Sequence, residues 1–210
     1  GAFNGARRAI EAGLREDTNR PAAVIVDVDE TVLENMTFEG RMIRAGKVFD
    51  SAEWTAWVNE AAARPVPGAL DFVHWARERG VTTFYVTNRK AVEEQGTYEN
   101  LRRLGFPVTL DTLMVRGERP EWEPRDKSPR RDFVASQYRV LAVIGDDLND
   151  FVNTQGLGDT DRDAVVRNHA GKWGVTWFVI PNPAYGSWED VITGEGTPCA
   201  KLENKIRSLD

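Results

Sequence analysis

The most constraining feature of the chain is an apolar run that ends in two aspartates. Residues 22–26 read Ala-Ala-Val-Ile-Val, and Asp27 and Asp29 follow directly. A continuous apolar run of this length is typical of a parallel strand that is buried on both faces. Successive strand residues point to opposite faces, so the two carboxylates emerge on the same side. Because ligands of open α/β sheets bind beyond the carboxyl ends of such strands, the pattern predicts a charged site here. The alternative is a strand followed by an acidic turn.

Two further apolar runs end in polar residues, and a lysine lies between them. The candidates are, in chain order, Thr87, Asn88 and Arg89 after the run 81–86, Lys127 at a predicted helix start, and Asp146 and Asp150 after the run 140–144. The carboxyl ends of parallel strands meet at one sheet edge, so these side chains would bring carboxylates, a hydroxyl and an ammonium together. That combination is typical of a metal-assisted phosphoryl-transfer site.

Several motifs, taken in this order, carry a resemblance to a known family. They are 27–35 (Asp-Val-Asp-Glu-Thr-Val-Leu-Glu-Asn), 67–69 (Pro-Gly-Ala), Thr87, Lys127, 145–151 (Gly-Asp-Asp-Leu-Asn-Asp-Phe) and 181–189 (Pro-Asn-Pro-Ala-Tyr-Gly-Ser-Trp-Glu). In these motifs the chain resembles the haloacid dehalogenase superfamily of phosphohydrolases, and within it the class C acid phosphatases. The resemblance runs from about Ala2 to about Trp188. Glu34 and Asp147 depart from it, since Asp and Asn are expected there.

The predicted fold is α/β: a Rossmann-like parallel sheet flanked by helices, of the haloacid dehalogenase-like type, with a small helical cap inserted after the first strand. Strands that alternate with helices favour a parallel sheet covered on both faces. Residues 32–64 are too many for an ordinary strand–helix loop and too apolar for a disordered one. We therefore assign 1–31 and 65–210 to the core and 32–64 to the cap. The predicted helices are about 3–15, 69–79, 91–104 and 129–137, and the predicted strands about 22–26, 81–86, 112–115, 140–144 and 177–180.

The resemblance implies a catalytic role for five residues. Asp27 would be the nucleophile that forms an aspartyl-phosphate. Asp29 would protonate the leaving oxygen and afterwards activate water, and its presence favours phosphate-ester cleavage over dehalogenation. Thr87, with the backbone amides at Asn88, would bind the phosphoryl oxygens. Lys127 would neutralise the attacked phosphate and restrain the nucleophile.

A metal site is implied at the same place. Asp146 is expected to bind the metal directly, together with Asp27 and the backbone carbonyl of Asp29. Asp150 would hold Asp146 or a water ligand in place. A ligand set made of oxygen atoms alone fits Mg²⁺ better than zinc. For Asp147, a helix cap is as good an interpretation as a catalytic role.

Three further residues are candidates for substrate binding. Arg89 either contacts phosphate or pairs with an acidic residue at the strand ends, and the sequence leaves both open. Phe38 and Tyr185 lie in segments that the resemblance places over the active site, where such rings flank a nucleobase. Ordinary packing of a cap and a loop is the alternative for these two rings.

Charge and residue types limit the partners and the location. The net charge of −6 argues against a nucleic-acid surface, which is normally basic. The single cysteine excludes a disulfide within these residues. No apolar run reaches the length of a membrane span, and no signal peptide or lipid-acceptor cysteine is visible at the start. The resemblance nevertheless implies a periplasmic, secreted or outer-membrane-anchored protein, with any lipid anchor outside this chain, and it favours a homodimer.

Together these observations predict a Mg²⁺-dependent acid phosphatase that acts on small phosphomonoesters, with 5′-nucleotides as the favoured class. One alternative is a phosphatase of sugar or other metabolite phosphates. The other is a non-catalytic binding or storage protein on the same fold. Related plant storage proteins lack the nucleophile, so the presence of Asp27 counts against this second alternative.

Overall fold

The structure, a computed structural model, describes residues 1–16, 18–47, 49–194 and 196–208. Its helices and strands are, in chain order, α1 (Ala2–Leu14), β1 (Ala22–Val26), β2 (Leu33–Glu34), α2 (Met36–Ala45), α3 (Ser51–Asn59), β3 (Arg64–Pro65), α4 (Ala69–Glu78), β4 (Thr82–Lys90), α5 (Glu94–Leu104), β5 (Leu113–Arg116), α6 (Ser128–Gln137), β6 (Arg139–Gly145), α7 (Asp159–Asn168), β7 (Trp177–Val179), α8 (Ser187–Thr193) and α9 (Pro198–Arg207). Single 3₁₀ turns lie between several of them, including Leu148–Asp150 after β6.

Five of these strands form a parallel sheet in the order β5-β4-β1-β6-β7. β1 lies at the centre, because its five apolar residues are buried and need cover on every side. The chain builds outward from β1 through β4 and β5 on one side, and then through β6 and β7 on the other. The strand order therefore reverses beside β1, which is where open α/β sheets bind ligands. This arrangement confirms the predicted α/β fold.

The sheet is covered on both faces by apolar side chains. One face carries the larger cluster, in which Val24, Val26 and Ile144 pack with residues of α1 and α4. The opposite face carries Ile25 and Val143 against the aromatic-rich smaller cluster, whose aromatic members are Phe84, Trp122, Phe151 and Trp177. Alternation of β1 side chains between the two clusters follows from the two-residue period of a strand. The carboxyl edge of the sheet is thus held rigidly from both sides.

Residues 32–64 contain the two helices α2 and α3 between two short strands. β2 and β3 pair antiparallel, Leu33 with Pro65 and Glu34 with Arg64, so this segment leaves and rejoins the core at one place. Next to this pairing, the buried side-chain amide of Asn100 on α5 accepts from the N–H of Ala63 and donates to its carbonyl, both at 2.9 Å. Residues 32–64 thus carry two helices between the pairing strands, and contacts at Ala63 and at β3 hold the end of this segment against the core.

Some element bounds differ from the sequence prediction. β4 continues from Val86 to Lys90, so the polar residues predicted to follow this strand are part of it. The sequence does not predict α7, because its residues show no apolar repeat at helical spacing. In the structure none of them is buried. Among the described residues, no helix is both long and apolar enough to cross a membrane.

Candidate active site

The carboxyl ends of β1, β4 and β6 lie side by side and carry most of the predicted site residues. Asp27 directly follows β1, and its N–H donates to the carbonyl of Ile144 at 3.0 Å, so strand pairing continues through the aspartate. Asp146 follows Gly145, the last residue of β6. A Cβ at Gly145 would lie 2.1 Å from an oxygen of Asp150, so only glycine lets that carboxylate fold back under the strand end.

Three acidic side chains meet at this edge. One carboxylate oxygen from each of Asp27, Asp146 and Asp150 lies within 4.8 Å of the others, which is the one such group among the residues that the structure describes. The ammonium of Lys127 donates to Asp27 and, at 2.6 Å, to Asp150. Its side chain is 5% exposed. Burial opposes the charged form of Lys127, but Asp150 and Asp27 outweigh it and raise its pKa.

The three carboxylates can carry more negative charge than the single positive charge of Lys127 neutralises. Burial, reinforced by the charge of Asp150, raises the pKa of Asp146 to about 7. Burial also raises the pKa of Asp27 well above its usual value, although Lys127 acts against this. Buried carboxylates in such a cluster are relieved by a proton or a cation. An all-oxygen, buried and electron-rich donor set fits a hard divalent cation.

Neighbouring groups fix the orientation of Asp146 and Asp150. The hydroxyl of Thr31 donates to one oxygen of Asp146 at 3.1 Å, and the amide of Asn182 donates to the other at 2.8 Å. The second oxygen of Asp150 accepts from the N–H of Asp147 at 2.9 Å. Asp146 and Asp27 thus lie side by side, while Asp150 contacts Lys127 and the N–H of the turn.

Asp147 faces away from this group. Its carboxylate accepts from the N–H of Asn149 at 2.8 Å, which caps the 3₁₀ turn, and from the N–H and the hydroxyl of Ser187, both at 2.6 Å. The capping interpretation is therefore confirmed. The contact with Ser187 was not predicted and ties the turn to the start of α8.

Asp29 and Arg89 form a buried ion pair. Arg89 donates to one oxygen of Asp29 from Nε at 3.0 Å and from Nη2 at 2.7 Å, and Asn35 donates to the same oxygen at 2.9 Å. The side chain of Arg89 is 1% exposed, whereas that of Asp29 is 19% exposed. Of the two interpretations of Arg89, the structure supports pairing with an acidic residue. The side chain of Asp29 takes no part in the three-carboxylate group.

Thr87 and Asn88 are held by a residue that the sequence did not single out. Thr87 is fully buried, and its hydroxyl accepts from the N–H of Arg89 at 3.1 Å. The guanidinium of Arg130 donates to the carbonyl of Thr87 and, at 2.7 Å, to the side-chain oxygen of Asn88. Asn88 also donates to the carbonyl of Arg125 at 2.9 Å. Arg130 fixes this strand end, and a lone arginine in a helix carries no sequence signal of that role.

The two predicted stacking rings differ in their surroundings. Phe38 is 1% exposed and packs edge-on against Trp54, with ring centroids 5.1 Å apart. It offers no free ring face, so the geometry does not support its predicted contact with a base. The exposed ring of this aromatic group is Phe49, which is 65% exposed and contacts both of the others. Tyr185 donates its hydroxyl to Glu30, and burial raises its pKa.

The fold and this site are typical of the haloacid dehalogenase type: a central parallel sheet with paired aspartates after its first strand, a lysine, and acidic residues after a neighbouring strand. Comparison with known proteins agrees. The family described as HAD superfamily, subfamily IIIB (Acid phosphatase), matches residues 3–188. The chain therefore belongs to this acid phosphatase family, and the resemblance seen in the sequence is confirmed.

Individual relatives lie within the same group. The class C acid phosphatase from Bacillus anthracis is 28% identical, with a TM-score of 0.90 over the whole of this chain and 88% of that one. A structure of it with tungstate bound gives a TM-score of 0.91. Acid phosphatase 1 from Solanum lycopersicum is 28% identical over 62% of this chain and 52% of its own length. A stem 31 kDa glycoprotein from Glycine max is 24% identical over 77% of this chain and 58% of its own. The chain thus spans about half the length of these last two relatives.

Proposed function

We propose that this chain is a Mg²⁺-dependent acid phosphatase that hydrolyses small phosphomonoesters through an aspartyl-phosphate on Asp27. The observation that carries the proposal is the placement of Asp27. A buried lysine restrains it beside Asp146, and Asp29, two residues later in the sequence, pairs with an arginine. The family and the class C relative support the activity. Tungstate in that relative is a tetrahedral oxyanion, as phosphate is, and its binding agrees with an oxyanion pocket on this fold.

Each residue then has a definite step. Asp27 attacks phosphorus and the bond to the leaving oxygen breaks, while Asp29 gives its proton to that oxygen. Water then attacks the aspartyl-phosphate, Asp29 takes a proton from it, and phosphate leaves. Lys127 restrains Asp27 and offsets the charge on the phosphoryl group. Asp27, Asp146 and the carbonyl of Asp29 would hold the cation, whose charge stabilises the phosphoryl oxygens in both steps.

We extend the proposal to 5′-nucleotides as the favoured substrates. Its support is the aromatic group beside the ion pair: the guanidinium of Arg89 lies over the ring of Trp54, with 5.7 Å between its carbon and the ring centroid. Phe49 adjoins Trp54 and is open to solvent. Tyr185 comes from the opposite segment and is fixed to Glu30 next to Asp29. Sugar or other metabolite phosphates are the alternative substrate class.

For location and assembly, the support comes from the family likeness alone. We propose a secreted or cell-envelope protein, as its class C likeness favours, and a homodimer, which light scattering of the purified chain would test directly.

A substrate panel tests the activity. AMP, glycerol phosphate and an aryl phosphate are assayed in EDTA and after Mg²⁺ is restored, with Asp27→Asn as the matched control. We expect activity to vanish on chelation and to return with Mg²⁺. The control variant should lose on the order of 10³-fold or more, as nucleophile deletions do in other covalent enzymes, while remaining folded. Full activity in EDTA would overturn the metal assignment, and turnover by Asp27→Asn would overturn the nucleophile. No hydrolysis of any ester by the intact chain would favour a binding protein.

A further inference from the structure

Asn35 occupies the N-cap position of α2, but its side chain does not cap the helix. Asparagine is among the best capping residues, because its side-chain oxygen accepts from the first free N–H groups of a helix. Here the side chain instead points into the protein and is fully buried. Something other than helix stability therefore accounts for its direction.

The buried amide connects the helical insertion to the proposed acid. Its Nδ2 donates to Asp29 at 2.9 Å and to Glu30 at 2.7 Å, while its Oδ1 accepts from the indole of Trp57 at 2.9 Å. Its orientation follows from chemistry, since ionised carboxylates only accept and an indole N–H only donates. Turning the amide over would break all three bonds. Trp57, on α3, thus helps the two carboxylates to fix which end of Asn35 faces Asp29.

Glu30 fixes the position of Asn35 through hydrogen bonds to its backbone and its side chain. Its carboxylate accepts from the backbone N–H of Asn35 at 2.8 Å as well as from the side chain. Glu30 adopts a left-handed backbone conformation with φ of 53°, which is costly for a residue with a Cβ. The turn after β1 contains this strained residue, and its carboxylate fixes the position of Asn35 beside Asp29.

The hydrogen bonds to Asp29 are distributed unevenly between its two oxygens. Oδ1 accepts from Asn35 and from two nitrogens of Arg89, at 2.7 to 3.0 Å. Oδ2 has one long contact, 3.3 Å from Nε of Arg89. A carboxyl that delivers a proton needs one oxygen free to carry it. Asn35 and Arg89 saturate Oδ1 and leave Oδ2 for that task.

We infer that Asn35 is a positioning residue for the acid that protonates the leaving group, and that α3 acts on Asp29 through Trp57 and Asn35. This inference rests on the proposed function, because it takes Asp29 as that acid. In this role Asn35 acts through the side chain of Asp29 and makes no hydrogen bond to Asp27 or Asp146. It selects the oxygen of Asp29 that carries the proton and the direction in which that oxygen points.

The chain offers a matched control for Asn35. Asn100 is also a buried asparagine that ties residues of the insertion to the core, but its partner is the backbone of Ala63 and it makes no contact with Asp29. Asn35→Ala and Asn100→Ala therefore remove comparable buried amides. Only the first should disturb proton delivery.

The experiment compares two esters of similar size whose leaving groups differ in their need for a proton. The leaving group of 4-nitrophenyl phosphate is a stable phenolate. The leaving group of benzyl phosphate is an alkoxide unless an acid protonates it. The readout is kcat/KM with Mg²⁺ present, which reports formation of the aspartyl-phosphate. Asp29→Asn serves as the reference and should lower the benzyl rate by about 10²–10⁴-fold more than the nitrophenyl rate.

For Asn35→Ala we expect the benzyl rate to fall roughly 10-fold more than the nitrophenyl rate, near the low end for a hydrogen bond to a charged group. Asn100→Ala should change both rates by the same factor.

If Asp29→Asn is selective and Asn35→Ala is not, the positioning role is wrong and the proposed function stands. If Asp29→Asn is not selective, the proposed acid itself is wrong. Should Asn35→Ala fail to fold, Trp57→Phe removes the indole N–H together with part of a buried ring. The lost packing should change both rates by the same factor, so a weaker selectivity against the benzyl ester must still appear. Its absence would overturn the inference.

Discussion

Replacement of Lys127 by methionine gives the sharpest test of the buried charge arrangement. Methionine keeps most of the length of the side chain and removes the ammonium that joins Asp27 to Asp150. Both carboxylates are nearly inaccessible to water, so they lose their counter-charge where solvent cannot replace it. Breaking a buried ion pair by removing one partner costs about 3–5 kcal/mol. At about 2–4 °C per kcal/mol for a chain of this length, the melting temperature should fall by about 6–20 °C.

The measurement is thermal or urea unfolding at neutral pH in EDTA, with Lys205→Met as the control. Lys205 also lies 2.5 Å from a carboxylate, that of Glu189, but the two side chains are 43% and 30% exposed. Exposed pairs contribute at most about 1 kcal/mol, so this variant should differ little from the parent. Mg²⁺ should restore part of the stability lost in Lys127→Met. Equal stability of the two variants in EDTA would refute the reasoning, because it would mean that Lys127 does not offset the buried carboxylates.

Three further outcomes follow from the same site. In EDTA, the free energy of unfolding should fall as the pH rises from about 4 towards 7. The reason is that Asp146, with a pKa of about 7 in the folded protein, keeps a proton that it has already lost in the unfolded chain. Urea unfolding at a series of pH values measures this, and Mg²⁺ should remove the dependence. Activity should be highest at acidic pH, since Asp29 enters the first step protonated, and an optimum above about pH 8 would contradict that order. Tyr185→Ala should lower kcat/KM for AMP by about 5- to 150-fold, the equivalent of one lost stacking contact, and leave glycerol phosphate nearly unchanged; equal losses would mean that Tyr185 only packs its loop.

The sequence predicts the grouping of the three carboxylates well because its signals are local. Each of β1 and β6 is an apolar run with acidic residues at its end, and a parallel sheet has one edge at which such ends meet. Asp27, Asp146 and Asp150 accordingly come together as expected. Lys127 is found by its order among the motifs, since a lone lysine at a helix start is normally solvent-exposed.

The surroundings of Asp29 could not be predicted in the same way. Asn35, Trp57 and Arg89 converge on it from a helix start, a second helix and a neighbouring strand, and no sequence period relates those positions. The burial of Phe38 has a similar cause. Helical spacing shows that α2 has an apolar face, but not whether that face turns towards the core or towards the substrate edge.

Asp147 shows how a departure from the family pattern acquires a physical meaning. Asparagine is expected at this position, yet each oxygen of the aspartate accepts a hydrogen bond from Ser187, and one of them also caps the turn. An asparagine has a single acceptor oxygen, so Asp147→Asn would leave an N–H of the Ser187 turn facing a second donor. We expect a loss of about 1–3 kcal/mol in stability and a higher KM for AMP, because Tyr185 lies on the segment that Ser187 anchors. The kcat for an aryl phosphate should stay close to that of the parent, since Asp147 faces away from the three-carboxylate group. A variant that loses kcat on every substrate while keeping its KM would instead place Asp147 in the catalytic machinery.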